Sequence, residues 1–202
     1  MMELLVFAQP AVNELVGKGL KKYRIPPSAS TVNLRQSDNL KIYLPTIIVI
    51  LADQFSKIWI KNNYIIYESR EILGSFIKFS HVKNPGIAFG LSVGDFGILV
   101  TILSFVATII IAYFHWQERF NHPLIVSGLA LILGGAIGNL IDRSSIFFTE
   151  HYEGVVDFID VGIGTIRWYT FNIADSAVTV GIILYLIHTL FTYKPELVEK
   201  VD

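Results

Sequence analysis

Two aspartates stand where a chain seldom places a carboxylate. Asp175 lies in FNIADSAVTVGIILYLIHTLF, a stretch that is otherwise apolar, and Asp157 lies shortly upstream in GVVDF. An acid inside a membrane-crossing helix is a functional-site candidate by default. Two carboxylates at close range cannot readily both ionise, so one keeps a proton while the other is a base. That pair could run aspartic proteolysis: the charged member takes a proton from water and the neutral one polarises the scissile carbonyl. Such chemistry uses no serine, cysteine or metal. The chain has no cysteine at all, which excludes disulfides, thiolate metal sites and thiol nucleophiles. Its histidines (His81, His115, His122, His151 and His188) are scattered without ligand spacing, so neither a metal nor another cofactor is expected.

Other polar residues carry two readings each. Asp53 and Lys57 are spaced i, i+4 with the acid first, the favourable order for an ion pair on a helix. A structural pair and a supporting role at the site are both open. Gly134, Gly135 and Gly138 suit close helix packing in lipid. Asn139 could be a packing hydrogen bond or part of a site, and Arg143 a headgroup anchor or a substrate contact. Asp142 has Arg143 beside it as a ready cation. Asp160 would share a face with Asp157 if that stretch were helical.

The elements that must position these groups follow from composition. The hydrophobic fraction is 52%, the charged fraction 16% and the mean hydropathy +0.54, a membrane balance rather than a soluble one. A net charge of −1 without a basic stripe gives nucleic acid no footprint. Four segments approach the roughly 20 apolar residues that span a bilayer, at about 43–62, 96–116, 123–141 and 171–191. The two middle ones contain no Asp, Glu, Lys or Arg. The expected architecture is an all-α integral membrane protein of four transmembrane helices, with a small β-containing outer domain between helices 1 and 2, around YIIYES and SFIKFSHV. Lys18, Lys21, Lys22, Arg24, Arg35 and Lys41 precede the first span and favour a cytoplasmic N-terminus. Both termini are then inside, and the loops carrying Asn84 and Asp157 are outside, although Arg70, Lys78, Lys83, Arg143 and Arg167 also fall there. Asn84, Asn139, Asp142, Arg143, Asp157 and Asp175 thus gather at one face. Residues 1–39 form an extension broken by IPPSAS, either an interfacial helix or a leader; 40–193 form the membrane domain and 194–202 a cytoplasmic tail.

Five motifs, DQFSK, NPGIAFG, GGAIGNLIDR, GVVDF and FNIADS, occur in that order on this frame, and across roughly residues 40–190 the chain resembles the bacterial lipoprotein signal peptidases, signal peptidase II. The resemblance implies a membrane aspartyl endopeptidase that removes the signal peptide of diacylglyceryl-modified prolipoproteins, cutting before the lipidated cysteine. It implies Asp157 and Asp175 as the catalytic pair. Substrate contact or dyad support would come from Asp53, Lys57, Asn84, Gly86, Asn139, Asp142, Arg143 and Asn172. Its implied partners are the prolipoprotein and membrane lipids, and the protein would work as a monomer in the bacterial cytoplasmic membrane. Residues 1–39 lie outside the pattern, and SSIFFTEHYE is longer than it. The competing reading is a small proton-coupled transporter or channel, but such a protein needs acids or broken helices near the midplane, and the middle of spans two and three is bare.

Overall fold

A computed structural model describes residues 41–85, 97–149 and 154–192. The expected N-terminal extension and C-terminal tail, and with them Gly86 and most of NPGIAFG, lie outside the described residues. Four long helices occur among them: α1 (Leu44–Asn63), α2 (Gly97–Gln117), α3 (Pro123–Ser144) and α4 (Ile173–Ile187). Proline stands in the first turn of α1 and of α3, where a missing N–H removes no helical hydrogen bond. His122 caps α3 by accepting from the Leu124 N–H at 3.2 Å. Past α3 the chain tightens into a 3-10 turn, Ser145–Phe147, and past α4 into a wide turn, His188–Thr192.

Among the described residues, three helices are long and apolar enough to cross a membrane: Gly97–Gln117, Pro123–Phe147 and Ile173–Phe191. On α2, Ile98, Leu103, Phe105 and Ile109 are each about half exposed or more, as suits a helix that meets lipid rather than water. Helix α1 carries Asp53, Lys57 and Lys61, but Asp53 and Lys57 are turned inward and buried.

Helix α3 packs against the other three helices, and glycine permits the approach. A side chain on Gly128 would meet the Gly181 carbonyl of α4 at 2.8 Å, and one on Gly134 would meet Val49 of α1 at 2.8 Å. On Gly135 it would collide with the Ala174 carbonyl. The seam therefore sets α4 against the face of α3 that carries Asn139 and Asp142.

A four-stranded antiparallel sheet lies beyond the helix ends, in the order β1 (Ser69–Leu73), β2 (Ile77–Asn84), β3 (Val155–Ile163), β4 (Ile166–Arg167). The first outer loop supplies only half of it. Strand β2 answers to SFIKFSHV as expected, whereas most of YIIYES forms the approach to β1. Strands β3 and β4 come from the segment between α3 and α4, which the sequence reading left as loop. Val155, Val156, Asp157 and Phe158 are all buried, so this strand lacks the alternation by which a half-buried strand is recognised. Phe79 of β2 and Phe158 of β3 pack edge to face at 5.6 Å, and Val156 and Phe158 join Ile60 and Tyr64 in one core cluster. This packing seats β3, and Asp157 with it, against the C-terminal end of α1.

Candidate active site

Asp175 is the third residue of α4, whose N-cap is Asn172. The Asn172 side chain accepts from the Asp175 N–H at 2.9 Å, and Asp175 Oδ2 accepts from the Asn172 N–H at 3.1 Å, a reciprocal capping box. The next orphan donor of the helix, Ala174 N–H, is taken at 3.0 Å by Asp53 Oδ1 of α1. The same turn thus explains an acid in an apolar stretch: a carboxylate at a helix N-terminus meets unsatisfied N–H groups and the positive end of the dipole.

Asp157 approaches from β3. Its Oδ1 accepts from Asn172 Nδ2 at 2.7 Å and its Oδ2 from Asn84 Nδ2 of β2 at 3.0 Å. Asn172 therefore touches both aspartates, one through its amide nitrogen and the other through its oxygen. Only 3% of Asp157 is exposed. Burial pushes its carboxyl up to about 6, Asn84 opposes this by hydrogen bonding, and the nearby Asp175 charge adds to it.

Beneath the pair, Asn139 of α3 donates through Nδ2 to Asp175 Oδ1 at 2.8 Å. Its Oδ1 accepts from Lys57 Nζ at 2.9 Å and from Asn172 Nδ2 at 3.1 Å. Lys57, 1% exposed, also lies 2.7 Å from Asp53 Oδ2 and 2.8 Å from Asp142 Oδ2. The contact with Asp142 is an ion pair by distance that lacks hydrogen-bond alignment. Gln54 donates to Asp53 Oδ2 at 3.1 Å and to the Gly138 carbonyl at 3.0 Å. A buried charge persists only when it is paired and hydrogen-bonded; Asp53 and Lys57 meet both conditions, and Asp142 is held by the ion pair.

Most residues singled out in the sequence meet in this network: Asp53, Lys57, Asn84, Asn139, Asp142, Asp157, Asn172 and Asp175. Arg143 stands next to it with Nε buried and without a hydrogen-bond partner. Two readings are corrected. Asp142 pairs with Lys57 across the helices rather than with Arg143, because adjacent residues on a helix do not face one another. Asp160 does not share a face with Asp157, because the segment is a strand and residues three apart point to opposite sides. It is bound instead by Arg167, Nε to Oδ1 at 2.6 Å.

Gly154 and Gln54 were not singled out, yet both build the site. Gly154 has φ +90°, and a Cβ there would strike the Asn84 carbonyl, so glycine lets the start of β3 lie against the end of β2. The G of GVVDF was the available signal. Gln54, inside DQFSK, offered only its place beside Asp53.

The arrangement joins two carboxylates of unequal surroundings through Asn172, close enough for the charge of one to act on the other. Comparison with known proteins bears on its use. A model of the family described as signal peptidase (SPase) II matches residues 45–191. The lipoprotein signal peptidase of Moorella thermoacetica is 40% identical over 141 residues, covering 70% of this chain and 87% of that protein. That of Desulforapulum autotrophicum is 32% identical over 162 residues, covering 78% and 96%. Among solved structures, a bacterial membrane enzyme determined at 2.3 Å resolution superimposes with a TM-score of 0.63 at 29% identity, over 80% of this chain and 94% of that one.

Proposed function

Because the chain belongs to the signal peptidase II family, we propose that Asp157 and Asp175 are the dyad with which it cuts. The chain is an aspartic peptidase and removes lipoprotein signal peptides; the transporter reading is not favoured. What carries the site assignment is Asn172, whose side-chain amide donates to the Asp157 carboxylate and whose main-chain N–H donates to the Asp175 carboxylate while it caps the helix that bears Asp175. In the first step a water attacks the scissile carbonyl, one carboxylate takes its proton and the other gives a proton to the carbonyl oxygen. Arg143, Asn84 and Gly86 hold the substrate near the dyad.

The substrate is the diacylglyceryl-modified precursor, cut before its lipidated cysteine. The active site faces the outside of the bacterial cytoplasmic membrane, all four helices span it, both termini are cytoplasmic, and one copy suffices. A depth near the membrane surface suits a signal helix whose cleavage point lies just outside the lipid. The test uses the purified chain in detergent with a diacylglyceryl-modified precursor, followed by gel shift. Wild type should give the shorter product, with or without EDTA, while Asp157→Asn and Asp175→Asn should give none. Full turnover by either variant would remove that aspartate from the dyad.

A further inference from the structure

The amides around the dyad have orientations that are forced rather than chosen. Lys57 can only donate, so the Asn139 atom 2.9 Å from it must be oxygen, and the Asn139 atom facing Asp175 Oδ1 must then be its NH2 group. The backbone N–H of Asn172 at Asp175 Oδ2 is likewise a donor that cannot be inverted. Asp175 therefore meets a fixed donor on each oxygen and sits in the first turn of α4, where the dipole favours negative charge. Asp157 shares only one of these advantages, a fixed donor on Oδ1 from Asn172, whose orientation the Asp175 N–H sets. It lies on a strand, without a helix dipole, is nearly fully buried, and its Oδ2 meets the side-chain amide of Asn84. The surrounding charges come from α1 (Asp53, Lys57) and α3 (Asp142, followed by Arg143), and Lys83 precedes Asn84 on β2, on the opposite face of the strand.

We propose that the single proton of the resting dyad resides on Asp157 while Asp175 carries the charge, and that Lys57 is the positioning residue that enforces this by fixing the amide of Asn139. This rests on the dyad reading above and assigns roles within it. Asp175 takes a proton from the attacking water as the water oxygen bonds to the scissile carbon. Asp157 gives its proton to the carbonyl oxygen. The product of that step is a neutral gem-diol, with Asp175 now neutral and Asp157 charged. On collapse Asp175 protonates the leaving amine as the C–N bond breaks, and Asp157 recovers a proton from a gem-diol hydroxyl as the new acid forms, so the dyad returns to its starting state. Asn172, bridging both carboxylates, holds them at constant separation while the charge changes side.

Infrared spectroscopy of the full chain in lipid nanodiscs at pH 5 tests the assignment through the carbonyl stretch of a buried protonated carboxyl. The band should be present in wild type, kept in Asp175→Asn, because burial is the main reason Asp157 holds its proton, and absent from Asp157→Asn. A band kept in Asp157→Asn and lost from Asp175→Asn would put the proton on Asp175; a band lost from both would mean a shared proton; either result overturns the proposal. A band unchanged in both would instead remove the dyad itself. For Lys57, the charge-conserving pair Lys57→Met with Asp142→Asn keeps one buried negative charge in place of the original two against one positive, and it is expected to fold. It should lower kcat at least 100-fold with KM changed less than threefold, and adding Asp157→Asn to it should restore the infrared band, now on Asp175. Lys57→Arg, still only a donor, should keep kcat within about tenfold and leave the band on Asp157. If the double variant kept wild-type kcat and an unmoved band, Lys57 would have no part in placing the proton.

Discussion

A buried carboxyl held near 6 has consequences that can be read in two assays. In catalysis the dyad needs one proton, and Asp157 loses its proton as pH rises through about 6. The kcat/KM of the free enzyme should therefore fall about tenfold per pH unit above that point, while the kcat limb should lie higher because bound substrate excludes more water. A kcat/KM that is flat from pH 6 to 8 would contradict this. In stability, the folded value exceeds the 3.8 of an ordinary aspartate, so proton binding favours the native state. That stabilisation is fully present below pH 4 and is lost as pH rises through 6. The gap amounts to at most roughly 3 kcal/mol, and Asp157→Asn should therefore raise Tm at pH 8 and leave it unchanged near pH 4; a lower Tm at pH 8 would mean that lost hydrogen bonds outweigh the charge. Asp160→Asn should retain most activity, since its partner is Arg167 at the sheet's far end. Asp175 stood out because a carboxylate in apolar sequence is costly, and Asp157 through its GVVDF motif. The partner of Asp142 was not legible, since a cross-helix ion pair leaves no trace in the order of residues.

The helices were legible in their run of apolar residues, and the glycines of α3 pointed to close packing without saying against what. The answer is α4 at Gly128 and Gly135 and α1 at Gly134. Gly135 matters most for the site, because the atom its Cβ would strike is the carbonyl of Ala174, next to Asp175. Gly135→Val should cost about 1–3 kcal/mol through overpacking and abolish most cleavage, since separating α3 from α4 also separates Asn139 from Asp175. Thermal unfolding and the gel assay together test this, and a variant equally stable and active would show that the seam can relax. Strand β3 was not legible. Its partner β2 lies some seventy residues away, Val82 pairing with Asp157, and its buried half, Val155–Phe158, has no alternation to mark it. The register depends on Gly154, so Gly154→Ala should push β3 from the Asn84 carbonyl and weaken the Asn84–Asp157 hydrogen bond, lowering kcat at least tenfold with a smaller effect on Tm.

At the scale of the whole molecule, what remains to be fixed is which way the frame stands in the membrane. The sheet and the N-terminus of α4 lie at one end of the bundle, and the α2–α3 connection at 118–122 lies at the other. The N-terminal basic residues favour the cytoplasm for their end, and an even number of spans returns the C-terminus to it. The hairpin between β3 and β4 then lies outside, and its exposed Ile163, Ile166, Trp168 and Tyr169 would sit at the outer interface, where aromatic residues are enriched. The chain has no cysteine, so a single introduced thiol reports its own location without background. Thr165, at the exposed hairpin tip, and Phe120, 59% exposed at the other end, are suitable because neither touches the dyad network. A membrane-impermeant maleimide added to intact spheroplasts should label Thr165→Cys fully and leave Phe120→Cys unlabelled until the membrane is broken, with both variants still cleaving precursor. Labelling of Phe120→Cys alone would invert the protein and place the dyad on the cytoplasmic face. Labelling of both in intact cells would mean that α3, the one helix between the two positions, does not carry the chain across the membrane.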